Sequence, residues 1–255
     1  MTFDMFNTIL LCFVSFFPGL IDASLGMGYG FTVTPALLLL GFRPTKVVPV
    51  VLISSIIGDV LSSFFHHRFK NADFSLHSRE TKIGLVVGVL GGLGAIFGAL
   101  ITLNLSAVYL RVYIGTLIVV MGFFVLFTRK RKAGVFSWPK MFLLSLVGSF
   151  NKGLGGFGFG PIVTSGGLLI GIKEKAAVAI QCLSETFVCI VGILTFVLAE
   201  IQLDWYLALP ISVGVAASSL PATYFVHKTN PVTLRWLIAV AAITLGVITL
   251  MQTFV

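Results

Sequence analysis

The stretch Gly19-Leu-Ile-Asp22-Ala-Ser24-Leu-Gly26-Met-Gly28-Tyr-Gly30 decides the reading of this chain, because it returns in altered form as Gly148-Ser-Phe-Asn151-Lys152-Gly153-Leu-Gly155-Gly156-Phe-Gly158-Phe-Gly160-Pro161. A shift of 130 residues places Gly26, Gly28 and Gly30 on Gly156, Gly158 and Gly160. Without a gap, Val33 and Thr34 then meet Val163 and Thr164, Leu38 and Leu39 meet Leu168 and Leu169, and Gly41 meets Gly171. Val48 falls on Val178 and Ser54 on Ser184. Self-similarity at a fixed offset marks a duplicated unit.

The solvent of this unit is lipid. Of 255 residues, 57% are hydrophobic and 10% charged, against about 25% charged in soluble domains. Apolar runs fall at about 5–21, 31–41, 46–65, 83–103, 108–127, 141–150, 161–172, 176–199, 205–226 and 232–254. A crossing needs roughly 20 residues, so most of these span. The runs 31–41 and 161–172, each after a glycine-rich break, read instead as half-helices or the short arm of a hairpin. The expected fold is an all-α polytopic helical bundle, one transmembrane domain over 1–255. It divides into an N-terminal repeat (1–128), a basic linker (129–137) and a C-terminal repeat (138–255). Met5–Leu20 reads as a retained helix, since it lacks a basic leader and a small-residue cleavage site.

The net charge of +8 belongs to short loops and orients the protein, so nucleic acid is not a partner. Loops 66–82, 128–140, 171–175 and 227–235 hold most of the Lys and Arg and are placed in the cytoplasm. Arg43, Lys46 and Arg111 fall outside them, and Lys152 falls within the membrane. The loop with Glu200 and Asp204, and both termini, then face outward. This works only if each glycine-rich element enters and leaves on one side. Each half is then a hairpin plus three crossings, and the odd number inverts the second half, an arrangement found in many secondary transporters.

Glycines at alternate positions let the backbone approach a solute, and the helix that restarts after each break presents free N–H groups to an anion. Close helix packing explains the same glycines in one break; two matched breaks point to a site between repeats. Pro161 suits a first helical position. The candidate substrate-binding residues are Gly26, Gly28, Gly30, Thr34, Ser54, Asn151, Lys152, Gly156, Gly158, Gly160, Thr164, Gln181 and Ser184. Lys152 falls on Asp22 in the alignment and either attracts the anion, pairs with Asp22, or snorkels to an interface. Asp22, Asp59 and Glu185 are candidates for proton or sodium coupling, with a structural hydrogen bond as the alternative. Thr186 adds a hydroxyl near Ser184. His66 and His67 open the first basic loop and read as interfacial. Trp138, Trp205 and Trp236 lie where an aromatic belt would. Cys12, Cys182 and Cys189 have no paired spacing and read as core residues. No P-loop, HExxH or CxxC is present; the chain reads as no enzyme, with no cofactor and no metal.

The break Gly26–Gly30 leading to Pro35, then Gly41-Phe-Arg-Pro44 and a long helix, resembles the TauE/SafE sulfite-exporter family, also called the 4-toluene sulfonate uptake permease family. Gly155-Gly156-Phe-Gly158-Phe-Gly160-Pro161 fits that family's second half. Asp22 and Met27 stand where its first break usually has small residues. The resemblance implies a bacterial or archaeal inner-membrane permease for sulfite, sulfoacetate, thiosulfate or related organosulfonates. The expected partners are a small anion, the bilayer, a coupling proton or sodium ion, and a second copy of the chain as an open case. An anion channel of the same architecture and a non-transporting scaffold are the alternative functions.

Overall fold

A computed structural model describes residues 5–104 and 134–230, and single positions 108, 109, 112, 113, 116, 117, 120, 123, 233, 236, 240, 244, 247 and 251. Arg111, most of the 129–137 linker and both extreme termini lie outside the described residues. The described helices are α1 (Met5–Leu25), α2 (Tyr29–Leu39), α3 (Pro44–Arg68), α4 (Arg79–Thr102), α5 (Trp138–Gly155), α6 (Phe159–Leu169), α7 (Glu174–Leu198) and α8 (Trp205–Lys228). Five of them are long and apolar enough to cross a bilayer, namely α1, α3, α4, α7 and α8. Large apolar side chains such as Phe13, Phe17, Phe64, Phe97, Leu143, Leu194 and Val213 point outward, while serines, threonines and most membrane-depth ionisable groups point inward. That is the distribution lipid imposes: apolar groups lose nothing by facing it, and polar groups find partners only inside.

The 130-residue offset reappears in the packing. α4 packs on α5 as α8 packs on α1, α4 on α7 as α8 on α3, and α2 on α3 as α6 on α7. α3 crosses its own counterpart, α7, at the centre.

Helix directions follow from which residues meet. Along α1 and α8, contacts advance together: Cys12 with Pro210, Ser15 with Gly214, Gly19 with Ser218. Gly58 and Asn71 likewise meet Val215 and Thr223, so α3 runs with α8. On α4, Gly84, Gly88 and Gly92 meet Leu183, Phe187 and Val191 of α7, and Gly91 and Gly98 meet Ser145 and Phe150 of α5. α4, α5 and α7 therefore run together. Between α3 and α7 the order reverses: Leu52 meets Gly192, while Asp59 lies beside Glu185 and Cys189. Each helix thus opposes its counterpart, and the repeats are inverted.

Because α1 and α3 run the same way, α2 between them returns toward the side where α1 began. Its 11 residues rise about 16 Å, half of the roughly 30 Å hydrocarbon core. The hairpin expected from loop charge is present in both halves.

The breaks are shorter than the sequence implies. α1 continues through Gly19–Leu25 and α5 through Gly148–Gly155, so only positions 26–28 and 156–158 are unwound. Asp22 and Lys152 sit on the last helical turns, not in open chain. Gly26, Gly28, Gly156 and Gly158 all have positive φ (71°, 135°, 74° and 87°), where a Cβ is strained. Pro161 is the third residue of α6, not the first; its missing N–H is still one that a helix start leaves unpaired.

Candidate functional site

The two breaks meet backbone to backbone. A Cβ on Gly30 would strike the Gly156 carbonyl and Phe157, and one on Gly160 would strike the Gly26 carbonyl and Met27. Gly26 packs on Thr164 and Gly156 on Thr34, again a matched pair. Thr164 Oγ1 donates to the Gly26 carbonyl at 3.4 Å; Thr34 Oγ1 is buried with no hydrogen-bond partner. The Phe31 and Phe157 rings close this crossing, 5.6 Å apart.

Beside it lies a buried charged cluster. Lys152 is 1% exposed, which removes the snorkelling reading. Its ammonium pairs with the Glu185 carboxylate and donates to Ser55 Oγ at 2.9 Å. Its ion-pair partner is therefore Glu185, not its alignment mate Asp22. Gln181 Nε2 donates to the other Glu185 oxygen, so Gln181 serves to fix the carboxylate.

Asp22 Oδ1 accepts from the Tyr29 backbone N–H at 3.3 Å, at the start of α2. Asp59 is buried and its Oδ2 has no partner. The ligand atoms of Asp59, Glu185 and Cys189 lie within 4.8 Å of one another, with the Lys152 ammonium already on Glu185. Asp59 and Cys189 are counterparts under the 130-residue offset, so this cluster sits at the pseudo-twofold axis. A cavity of about 10 Å³ touches it, lined by Asp22, Tyr29, Ser55, Asp59 and Ser62, with Gly19, Ala23, Gly58 and Val215 completing the wall.

Other expected site residues serve the scaffold. Ser184 donates to carbonyls of its own helix, and Thr186 to that of Cys182. Ser54 does the same toward Val50 and also meets the Tyr29 hydroxyl. Asn151 donates to the Val147 carbonyl and accepts from the Tyr113 hydroxyl. Gly28 packs on Ile21 and Gly158 on Asn151, counterparts once more.

The interfacial reading of His66 is corrected: it is fully buried. Its Nε2 faces the Ala23 carbonyl at 3.1 Å and its Nδ1 faces the Asn71 amide at 3.0 Å. A carbonyl only accepts and that amide nitrogen only donates, so the ring is neutral with its proton on Nε2. His67 is the exposed one of the pair.

On the face where α3 ends and α4 and α7 begin, a pocket of about 830 Å³ is lined by Arg68, Lys70, Asn71, Asp73, Glu80, Lys173 and Lys175, among others. The two basic loops 66–82 and 171–175 thus share one side. Asp73 there accepts from the backbone and hydroxyl of Ser75, which holds it below the usual carboxylate range. On the other face Lys46 pairs with Asp204 at 3.6 Å.

A sequence profile described as sulfite exporter TauE/SafE matches residues 11–249. The chain belongs to the TauE/SafE family. It is also 25% identical over 240 residues to a "Probable membrane transporter protein YtnM" of Bacillus subtilis (strain 168), covering 89% of this chain and 77% of that one. No solved structure matches. This TauE/SafE member is accordingly a multi-pass membrane protein of a transporter family. Tyr29, Ser55 and Ser62 enter its cluster without having been singled out in sequence, and Cys189, read there as a core residue, borders it too. Ser55 and Cys189 had one available signal, as the alignment mates of Glu185 and Asp59.

Proposed function

We propose that the protein is a secondary transporter of a small sulfur-containing anion such as sulfite, sulfoacetate or a related organosulfonate, in the cytoplasmic membrane. The anion would bind between the two glycine breaks, and one repeat would rock against the other. The observation that carries this reading is the buried Lys152 at the crossing of two inverted breaks. An ammonium at that depth is costly and marks a pathway more often than a scaffold.

The two breaks offer the anion unequal places. Asp22 already caps the start of α2 with its own carboxylate. Its counterpart, Lys152, has no acceptor to give, so the positive end of α6 is left for solute oxygens. The second break is therefore the binding one. A solute anion that draws Lys152 from Glu185 frees a carboxylate, which then needs a proton or cation; coupling would run through Glu185, Asp59 or Asp22. The repeats are taken as 1–128 and 138–255, and the basic loops as cytoplasmic.

The test is flux of labelled sulfite into proteoliposomes, with sulfoacetate and sulfate as competitors. Saturable sulfite flux, competed by sulfoacetate and driven uphill by an ion gradient, is expected. Flux that never saturates and cannot be driven uphill would make the protein a channel. Absence of any sulfur-anion flux in either direction would overturn the substrate class.

A further inference from the structure

The charged cluster does not balance. Among the described residues, Asp22, Asp59 and Glu185 gather around one ammonium, that of Lys152. His66 is neutral by its hydrogen bonds, and the nearby thiols of Cys182 and Cys189 carry no positive charge. In a membrane interior each surplus carboxylate is neutralised, by a proton or by a cation.

The imbalance lies in the first repeat. In the second, the last turn of α5 carries Lys152, so the negative end of that helix has a tethered cation. Its ammonium bridges Glu185 and that residue's counterpart, Ser55. In the first repeat the last turn of α1 has no basic residue; Asp22 takes that position. Next to Asp22 lies the cavity it bounds together with Tyr29, Ser55, Asp59 and Ser62. The polar side chains lining it all carry oxygen, and Asp59 Oδ2 there is buried and unpartnered. Oxygen donors without nitrogen or sulfur select hard cations. A volume of about 10 Å³ admits a single particle the size of a water.

We propose that this cavity is a Na⁺ site, formed by the carboxylates of Asp22 and Asp59 with the hydroxyls of Ser55, Ser62 and Tyr29, beside the Lys152 ammonium on Ser55. The site lies at the closing point of the α1–α2 hairpin, since Asp22 also holds the first N–H of α2. Na⁺ binding thereby sets the charge on the carboxylate that caps this helix. The link to anion transport rests on the proposed function, but the binding itself does not, because it is measured with no sulfur anion present.

The experiment uses the full-length purified protein in choline, potassium or sodium chloride at equal ionic strength. Sodium is expected to raise Tm in a saturable way and potassium and choline are not, since a ligand of the native state stabilises it by mass action. Labelled Na⁺ should bind with the same midpoint. Asp59→Asn should erase the sodium response, because it removes one of the two carboxylates that line the cavity. Ser62→Ala, a milder change, should shift the sodium midpoint several-fold upward. Equal Tm in all three salts with no bound label would overturn the site. So would an acid-induced rise in choline that matches the sodium effect and disappears in Asp59→Asn, which would assign the place to protons.

Discussion

Lys152→Ala is expected to abolish transport and to lower stability by about 3–5 kcal/mol, the usual cost of removing one partner of a buried ion pair. The ammonium is the single positive charge found in the cluster among the described residues, and it holds Glu185 and Ser55 together across α5, α7 and α3. Its loss leaves Glu185 with Gln181 alone, beside two further carboxylates. Thermal unfolding in detergent measures the first effect and proteoliposome flux the second. The double variant Lys152→Ala, Glu185→Gln separates them. Neutralising both partners is often nearly neutral for stability, so most of the lost Tm should return while transport does not. Lys152→Arg should keep much of the stability yet transport poorly, because a planar guanidinium does not replace a compact ammonium. Unimpaired sulfite flux in the double variant would reduce Lys152 to a structural role.

The duplicated glycines made the architecture readable, and loop charge supplied the hairpins and the inversion. What pattern alone did not show was where each helix stops. Ser24 returns its hydroxyl to the Leu20 and Ile21 carbonyls, so α1 tolerates a polar, glycine-bearing end that reads as a break. α3 runs on past His66 because Ala23 and Asn71 supply the imidazole with partners from distant parts of the chain. No periodicity reports such a contact.

The site was legible at Lys152, Glu185, Asp22 and Asp59, since an ionisable residue in an apolar run is conspicuous. Ser55 and Ser62 were not, for small hydroxyl residues are common in membrane helices and many of them bond their own backbone; nor was Tyr29, whose hydroxyl meets Ser54 of another helix. The offset pairs Asp59 with Cys189 and Ser55 with Glu185. Only the crossing of α3 and α7 brings counterparts within reach of one another, and the position of that crossing along each helix is a property of packing.

Gly30→Ala and Gly160→Ala are expected to be nearly as damaging as the loss of Lys152, and to be so to a similar extent. Each added methyl would run into a main-chain carbonyl of the opposite break, Gly156 for one and Gly26 for the other. A flexible side chain could turn aside; a carbonyl held in a break cannot move without carrying its helix ends along. The breaks would separate, costing packing on the order of 1–3 kcal/mol for overpacking, and the surface on which the repeats rock would change shape. Flux should fall at least tenfold in both variants. Gly167→Ala on α6 is the control: its methyl would meet Ile172 and Ala177 at 3.4 to 3.8 Å, ordinary contact distances, and it removes a helix-interior glycine, a change that is favourable by roughly 0.5–1 kcal/mol. If Gly160→Ala transports as well as Gly167→Ala, the breaks do not touch in the working protein. A large loss in one of the matched pair and none in the other would instead place the moving contact in a single repeat.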